Sequence, residues 1–256
     1  MKIVINPEYN YLTDFINSLP HTEPIPEDVY QKERNYVYKV TVEGTPLVVK
    51  KYKRPTLANC VIYTWFRMNK AERSYKYAFR LRKIGFDTAE PVAYIIKKKY
   101  GFVHTCYYVT KFIPYSLLNT YVEHDKQIIL DIVNDFAEYT YNIHKNGISH
   151  YDYNLGNILF HKEGDKYKFT VIDINRMVFV RKIKRKRIKG LNGLGFSLPL
   201  FGFFIERYTQ LAGLHTELFF GTLLLKRGVN LTKRIKNRCK AFIARMKSGD
   251  AQYFIN

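Results

Sequence analysis

Cysteine is scarce in this chain. Cys60, Cys106 and Cys239 are the three among 256 residues, far apart and without a C-x-x-C pair. A disulfide framework or a zinc centre is therefore not expected, and the thiols read as buried structural groups of a protein kept in a reducing compartment. Acids are few: 22 Asp and Glu stand against 42 Lys and Arg, a net charge of +20. Long apolar runs are missing. The most membrane-like stretch, Gly190–Ile205, is sixteen uncharged residues that include four Gly, Asn192 and Pro199, short of the roughly 20 apolar residues a spanning helix needs. It reads as a loop followed by a buried or interfacial helix. The start, MKIVINPEYN, has no apolar stretch of the signal-peptide kind. Internal repeats and low-complexity linkers are also absent.

What is plentiful is aromatic surface and positive charge. Hydrophobic residues make up 46% of the chain and aromatics 16%, enough for a sizeable core and too much for a disordered chain. The charge is uneven. Ile174–Ser248 holds eighteen Lys or Arg and two acids, so about +16 of the +20 lies there, with seven basic residues in the nine positions Arg181–Lys189. Such a run attracts phosphate-rich surfaces: nucleic acid, anionic lipid or phosphorylated glycolipid. Neither zinc-finger spacing nor an aromatic ribonucleoprotein motif accompanies it, which argues against nucleic acid.

The pattern along the chain is strands first, helices second. Residues 1–33 read as an irregular arm, with Pro20, Pro24 and Pro26 opposing regular structure. Tyr36–Val42 and Leu47–Lys50 read as a hairpin turning at Glu43–Pro46. A helix is expected over Asn69–Ile84, where Ala71, Tyr75, Ala78 and Leu81 recur at helical spacing and Gly85 supplies the stop. Strands follow at Val92–Ile96 and Thr105–Ile113, then a long helix from about Lys126 to His144. Two short strands, Ile158–Phe160 and Phe169–Ile172, precede a helical remainder beginning near Ser197. The expectation is an α+β fold in one domain, 1–256, of two lobes: an arm with a small antiparallel sheet over 1–113, and a mostly helical lobe over 114–256 that carries the basic C-terminal region.

The most distinctive residues lie at the join: His150-Tyr151-Asp152-Tyr153-Asn154-Leu155-Gly156-Asn157, and, twenty-one residues beyond Asp152, Asp173 within Val171-Ile172-Asp173-Ile174-Asn175. A loop with an Asp and an Asn five residues on can aim both into one cleft, and a hairpin can present a second Asp beside them. One carboxylate to orient a hydroxyl proton, with a second carboxylate and an amide oxygen for magnesium, is what phosphoryl transfer requires.

This order resembles the catalytic loop H-x-D-x-x-x-x-N and the D-F-G aspartate of protein-kinase-like enzymes. The resemblance implies Asp152 as catalytic base, Asn157 as a catalytic-loop magnesium ligand, Asp173 as main magnesium ligand, and His150 as a structural brace. Val48-Val49-Lys50 is similar to the V-A-I-K strand. Alternation sets Lys50 on the face of Val48 and Lys51 on the other, so Lys50 is the expected ATP anchor. Its helix partner should be a glutamate, and Glu72 is the single acid of the 69–84 helix, although related families place theirs nearer Ser74. There is no G-x-G-x-x-G; backbone amides or Arg34 would meet the phosphates. Asn175 stands where D-F-G has glycine, and no A-P-E segment follows, which argues against a protein kinase governed by an activation loop.

Further pieces resemble the lipopolysaccharide core kinases, over about residues 35–225: Val49–Pro55, Lys70–Tyr75, Gly85–Ala93 and Ile172–Met177. That family implies ATP, Mg²⁺, a sugar hydroxyl of Kdo or heptose on the lipopolysaccharide core or lipid A glycolipid as acceptor, and a cytoplasmic protein peripheral to the inner membrane. Arg176 would then touch an acidic acceptor, and Arg185, Lys186 and Arg187 the acceptor or the anionic membrane surface. Two alternatives stay open: an atypical protein kinase, and a catalytically silent kinase fold that binds membrane or nucleic acid through its basic face.

Overall fold

The computed structural model describes residues 1–33, 35–56, 60, 62–180, 190–217, 219–225 and 228. The N-terminal lobe is a six-stranded antiparallel sheet in the order β1-β5-β6-β4-β3-β2, from Lys2–Ile5 (β1), Asp28–Gln31 (β2), Asn35–Val42 (β3), Thr45–Tyr52 (β4), Pro91–Lys99 (β5) and Phe102–Lys111 (β6). The expected hairpin is β3–β4, in register from Asn35↔Tyr52 to Val42↔Thr45, with Gly44 at positive φ in the turn. Strand alternation gives β4 two different faces. Leu47 and Val49 are fully buried on one. Lys50 and Tyr52 share the other.

The N-terminal arm departs from expectation. It is ordered from the start: β1 pairs with β5, a short 3-10 helix spans Pro7–Leu12, and a helix, α1, spans Thr13–Ser18. The prolines act only between α1 and β2, where the chain is irregular. The arm folds because the sheet face of Val49, Ile95 and Val109 would otherwise meet water. Leu12, Ile16 and Leu19 cover it, each almost completely buried, which at about 25 cal/mol per Å² of apolar surface outweighs weak local propensity.

The opposite face carries α2, Lys70–Lys83. Asn69 caps it by accepting a hydrogen bond from the Glu72 amide at 3.0 Å. Ala71 and Tyr75 pack on Tyr52, Tyr94, Cys106 and Tyr108 of the sheet. Ala78 and Leu81, one and two turns on, pack instead on Ile143, Ile148, Val171 and Met177 of the C-terminal lobe. One helix thus belongs to both lobes. Cys60 and Cys106 are buried and unpaired, and burial pushes the Cys106 thiol up to about 12; Cys239 lies outside the described residues.

The C-terminal lobe is built on α3, Lys126–Lys145, and α4, Leu198–Ala212. Phe136 of α3 meets Tyr153, Phe169, Phe196 and Phe204 with ring centroids 5.2–6.1 Å apart. Short strands frame the join: Ser116–Leu117 (β7), Ile148–His150 (β8), Ile158–Glu163 (β9), Lys166–Val171 (β10) and Met177–Phe179 (β11). They form a β10-β9-β7 sheet and a β11-β8 pair. Among the described residues no helix is long and apolar enough to cross a membrane.

Gly147 ends α3 at φ +74, and a Cβ there would stand 2.2 Å from the Val180 carbonyl oxygen. The Val180 amide in turn donates to the Gly147 carbonyl at 2.8 Å. Gly147→Ala therefore meets both a left-handed backbone and a main-chain wall. It should lose about 2–4 kcal/mol of unfolding free energy in a urea titration; a variant as stable as the parent would show that this junction yields freely.

Candidate active site

Two local pairings bring the distinctive residues together. The β9–β10 hairpin sets Val171 opposite Ile158, and the Ile172 amide donates to the Asn157 carbonyl at 2.8 Å. Asn157 and Asp173 are therefore neighbours. The β8–β11 pair sets Met177 opposite His150, which returns the chain after Asp173 to the start of the Asp152 loop. The loop itself is pinned by alternate residues: Tyr153 and Leu155 enter the core of the C-terminal lobe, and the Tyr153 hydroxyl is 2.9 Å from the Thr140 hydroxyl of α3. Asp152, Asn154 and Asn157 are left on the open side. Asn154 and Asn157 both donate their side-chain N–H to the Asp152 carbonyl, at 3.0 and 2.9 Å.

His150 joins the two acidic loops without touching either carboxylate. Its Nδ1 lies 3.0 Å from the Asp152 amide, which can only donate, so Nδ1 is the acceptor. The proton then sits on Nε2, which donates to the Asp173 carbonyl at 3.1 Å. This is the bracing role expected from the sequence.

Asp173 adopts φ 53, ψ 43, a left-handed conformation that Asp tolerates better than most residues. The turn aims its carboxylate at Lys50, whose Nζ stands 2.6 Å from Oδ1. Burial alone would raise the Asp173 carboxyl; the Lys50 ammonium and the Asn175 amide, which donates to the same oxygen, outweigh it and hold the group below the ordinary carboxylate value. A clasp from α2's far end steadies this turn. The Thr88 hydroxyl donates to the Val171 carbonyl at 2.7 Å, and the Val171 amide donates to the Asp87 carbonyl at 3.3 Å. The Gly85–Ala93 stretch thus positions Asp173, a role its composition did not signal.

Lys50, Asp152, Asn157 and Asp173 gather as expected. Arg176 joins them: its Nη1 is 3.3 Å from Asp152 Oδ2, in a pair nearly half exposed on each side. Glu72 does not. It lies 2.9 Å from Lys76 and 3.5 Å from Lys2, on the side of α2 that faces β1. The residue of α2 that faces the end of β4 is Ser74, whose hydroxyl is 3.0 Å from that of Tyr52. Lys50 meets Asp173 in place of a helix glutamate. Lys51 points the other way, to Glu23. Arg34, Arg185, Lys186 and Arg187 lie outside the described residues.

The donor set suits magnesium. Asp173 offers a carboxylate, and Asn157, whose N–H is spent on Asp152, keeps its amide oxygen. Two hard oxygens with open positions fit a cation that retains water and binds phosphate oxygens. Among the described residues no group of three or more His, Cys, Asp or Glu could hold a metal ion.

Burial holds the His150 imidazole below its ordinary value. The unfolded chain takes up a proton there below about pH 6.5, whereas the folded chain resists it. The stability carried by neutral His150 is therefore full above that pH and declines as pH falls further. His150→Gln should flatten the slope of unfolding free energy between about pH 6.5 and 5; an unchanged slope would assign the titration to another group.

Against known proteins, the chain matches the Lipopolysaccharide kinase (Kdo/WaaP) family over residues 30–212. A solved structure described as WaaP in complex with acyl carrier protein aligns with a TM-score of 0.60 at 18% identity, over 91% of this chain and 99% of that one. At this identity the likeness speaks for the fold, the two-lobed kinase-like architecture described above. No curated protein matches. The family match spans well over half the chain and contains Lys50, Asp152, Asn157 and Asp173, and on that ground the protein belongs to the Lipopolysaccharide kinase (Kdo/WaaP) family.

Proposed function

We propose that this kinase transfers the γ-phosphoryl group of ATP to a sugar hydroxyl of the lipopolysaccharide inner core, with Kdo as the first candidate and heptose as the second. The observation that carries the reading is the convergence of Lys50 on Asp173 at 2.6 Å beside Asn157, with Asp152 on the same open side. Asp152 accepts the proton of the attacking hydroxyl. The sugar oxygen forms a bond to the γ-phosphorus, the bond to the β–γ bridging oxygen breaks, and ADP leaves with that oxygen. Lys50 holds the nucleotide phosphates. Asp173 and Asn157 would hold Mg²⁺, and the bound ion would supply positive charge against the transferring group.

The Arg176–Asp152 contact favours Kdo. Kdo bears a carboxylate and heptose does not. An acceptor carboxylate would draw the half-exposed Arg176 away from Asp152 and free the base as it binds. The basic run supports a membrane-borne acceptor. Its flanking residues sit beside the catalytic loop: Val180 bonds Gly147, and a Cβ on Gly190 would be 3.1 Å from the His150 carbonyl oxygen. On this reading the protein works at the cytoplasmic face of the inner membrane as a peripheral enzyme.

The direct test is ATP consumption with Mg²⁺, with and without Kdo-bearing lipid A. Stimulation is expected, and Asp152→Asn should lower it on the order of 10²–10⁴-fold while leaving nucleotide binding nearly intact. Asp173→Ala should instead abolish the magnesium dependence of nucleotide binding. Bound nucleotide without turnover on Kdo, heptose or protein acceptors would favour a silent fold. Separately, replacing Arg185, Lys186 and Arg187 with Gln should weaken binding to anionic vesicles by about 1 kcal/mol per charge, more at low salt. Equal vesicle binding by parent and variant would remove the run from the membrane contact.

A further inference from the structure

The start of α2 carries an excess of positive charge. From Gly44 to Ala71 the sequence contains no Asp or Glu, and it contains Lys50, Lys51, Lys53, Arg54, Arg67 and Lys70. Lys70 is the first residue of α2 and Arg73 the fourth. Both stand at the positive end of the helix dipole, where cations are disfavoured and anions welcome. Glu72, the one acid of the helix, is engaged by Lys2 and Lys76 on another side. Position 74, which faces β4, is a serine.

Arg73 is the sharpest anomaly. It is only 6% exposed, and its Nε is buried without a hydrogen-bond partner. No ion pair joins it to a carboxylate among the described residues. The charge that acts on it most is that of Arg67, a second cation, and burial together with that repulsion lowers its proton affinity. A buried guanidinium with no anion is costly, so its retention calls for a ligand that supplies one. Lys70 connects this charge to the active site. Its Nζ is 5.9 Å from the centre of the Tyr52 ring, and Lys50 Nζ is 5.4 Å from the same ring. The Tyr52 hydroxyl is held by Ser74 at 3.0 Å. Asp173, Arg176 and Lys50 all act electrostatically on Lys70.

We infer that Lys70 and Arg73 form an oxyanion site at the first turn of α2, beside the Lys50–Asp173 pair, that receives a phosphate group of a bound ligand. A phosphate offers several acceptor oxygens and two charges, which suits a guanidinium fork, an ammonium and a helix start together. The inference deepens the kinase reading and rests on it for its location. Two sources share this chemistry: the phosphates of the nucleotide, in a protein that lacks a glycine-rich loop, and a phosphate of the glycolipid acceptor.

The test uses the full chain with Lys70→Gln, Arg73→Gln and the conservative Arg73→Lys. Calorimetry measures ATP and adenosine without acceptor, and lipid A with two phosphates or one, in detergent, without nucleotide. Inorganic pyrophosphate is scored separately by thermal shift. If the nucleotide supplies the phosphate, Lys70→Gln and Arg73→Gln bind ATP at least tenfold more weakly, bind adenosine equally, and Arg73→Lys recovers part of the loss. If the acceptor supplies it, ATP binding is unchanged and the preference for the bisphosphorylated lipid disappears. Should Arg73→Gln fail to fold, Lys70→Gln carries the comparison. Parent-like binding of ATP, pyrophosphate and both lipids by Lys70→Gln and by folded Arg73 variants overturns the site. A parent that binds pyrophosphate but neither ATP nor lipid, with the pyrophosphate shift lost in Lys70→Gln, sustains the oxyanion site and ends the kinase reading instead.

Discussion

His150 holds the chemistry of this protein together through main-chain atoms alone. One ring nitrogen accepts from the Asp152 amide and the other donates to the Asp173 carbonyl. The spacing between the two acids is thereby tied to a rigid, buried ring, while neither carboxylate is spent on that ring. The arrangement works only with neutral imidazole of one tautomer, because protonation would turn the accepting nitrogen into a second donor facing an N–H. Around this brace the remaining supports line up. Tyr153 and Leu155 root the loop in the helical lobe, the Asp87–Thr88 clasp holds the strand before Asp173, and Lys50 reaches across from the sheet.

How much of this was legible follows from how local each feature is. Asp152, Asn157 and Asp173 could be read because a loop, a hairpin and their spacing set their mutual placement. Lys50 followed from the alternation of one strand, and the structure separates it from Lys51 as alternation requires. Elimination points to Glu72, the single acid of its helix, but elimination says nothing about which way a side chain points; a helix turns about 100° per residue, so Glu72 and Ser74 face different neighbours. The ordered arm is not legible locally because its four-residue β1 owes its existence to β5, about ninety residues away. Its prolines punctuate only the stretch between α1 and β2.

Charge was readable as a quantity and less so as a place. The large excess after Asp173 is densest in Arg181–Lys189, whose neighbours Val180 and Gly190 meet Gly147 at the end of α3 and the His150 carbonyl. The smaller excess before α2 gave a quieter signal: twenty-eight residues, Gly44–Ala71, without an acid. Only the packing shows that Arg73 is buried inside that excess and that Lys70 shares the Tyr52 ring with Lys50.

The division of α2 between the lobes bears on how the cleft can move. Its first turns are sealed to the sheet by Ala71 and Tyr75, and its last turns to the helical lobe by Ala78 and Leu81. Pulling the lobes straight apart would strip apolar surface from one end or the other. The two lobes are therefore buttoned together by a single helix, and any widening of the cleft has to be taken up at one of its two ends.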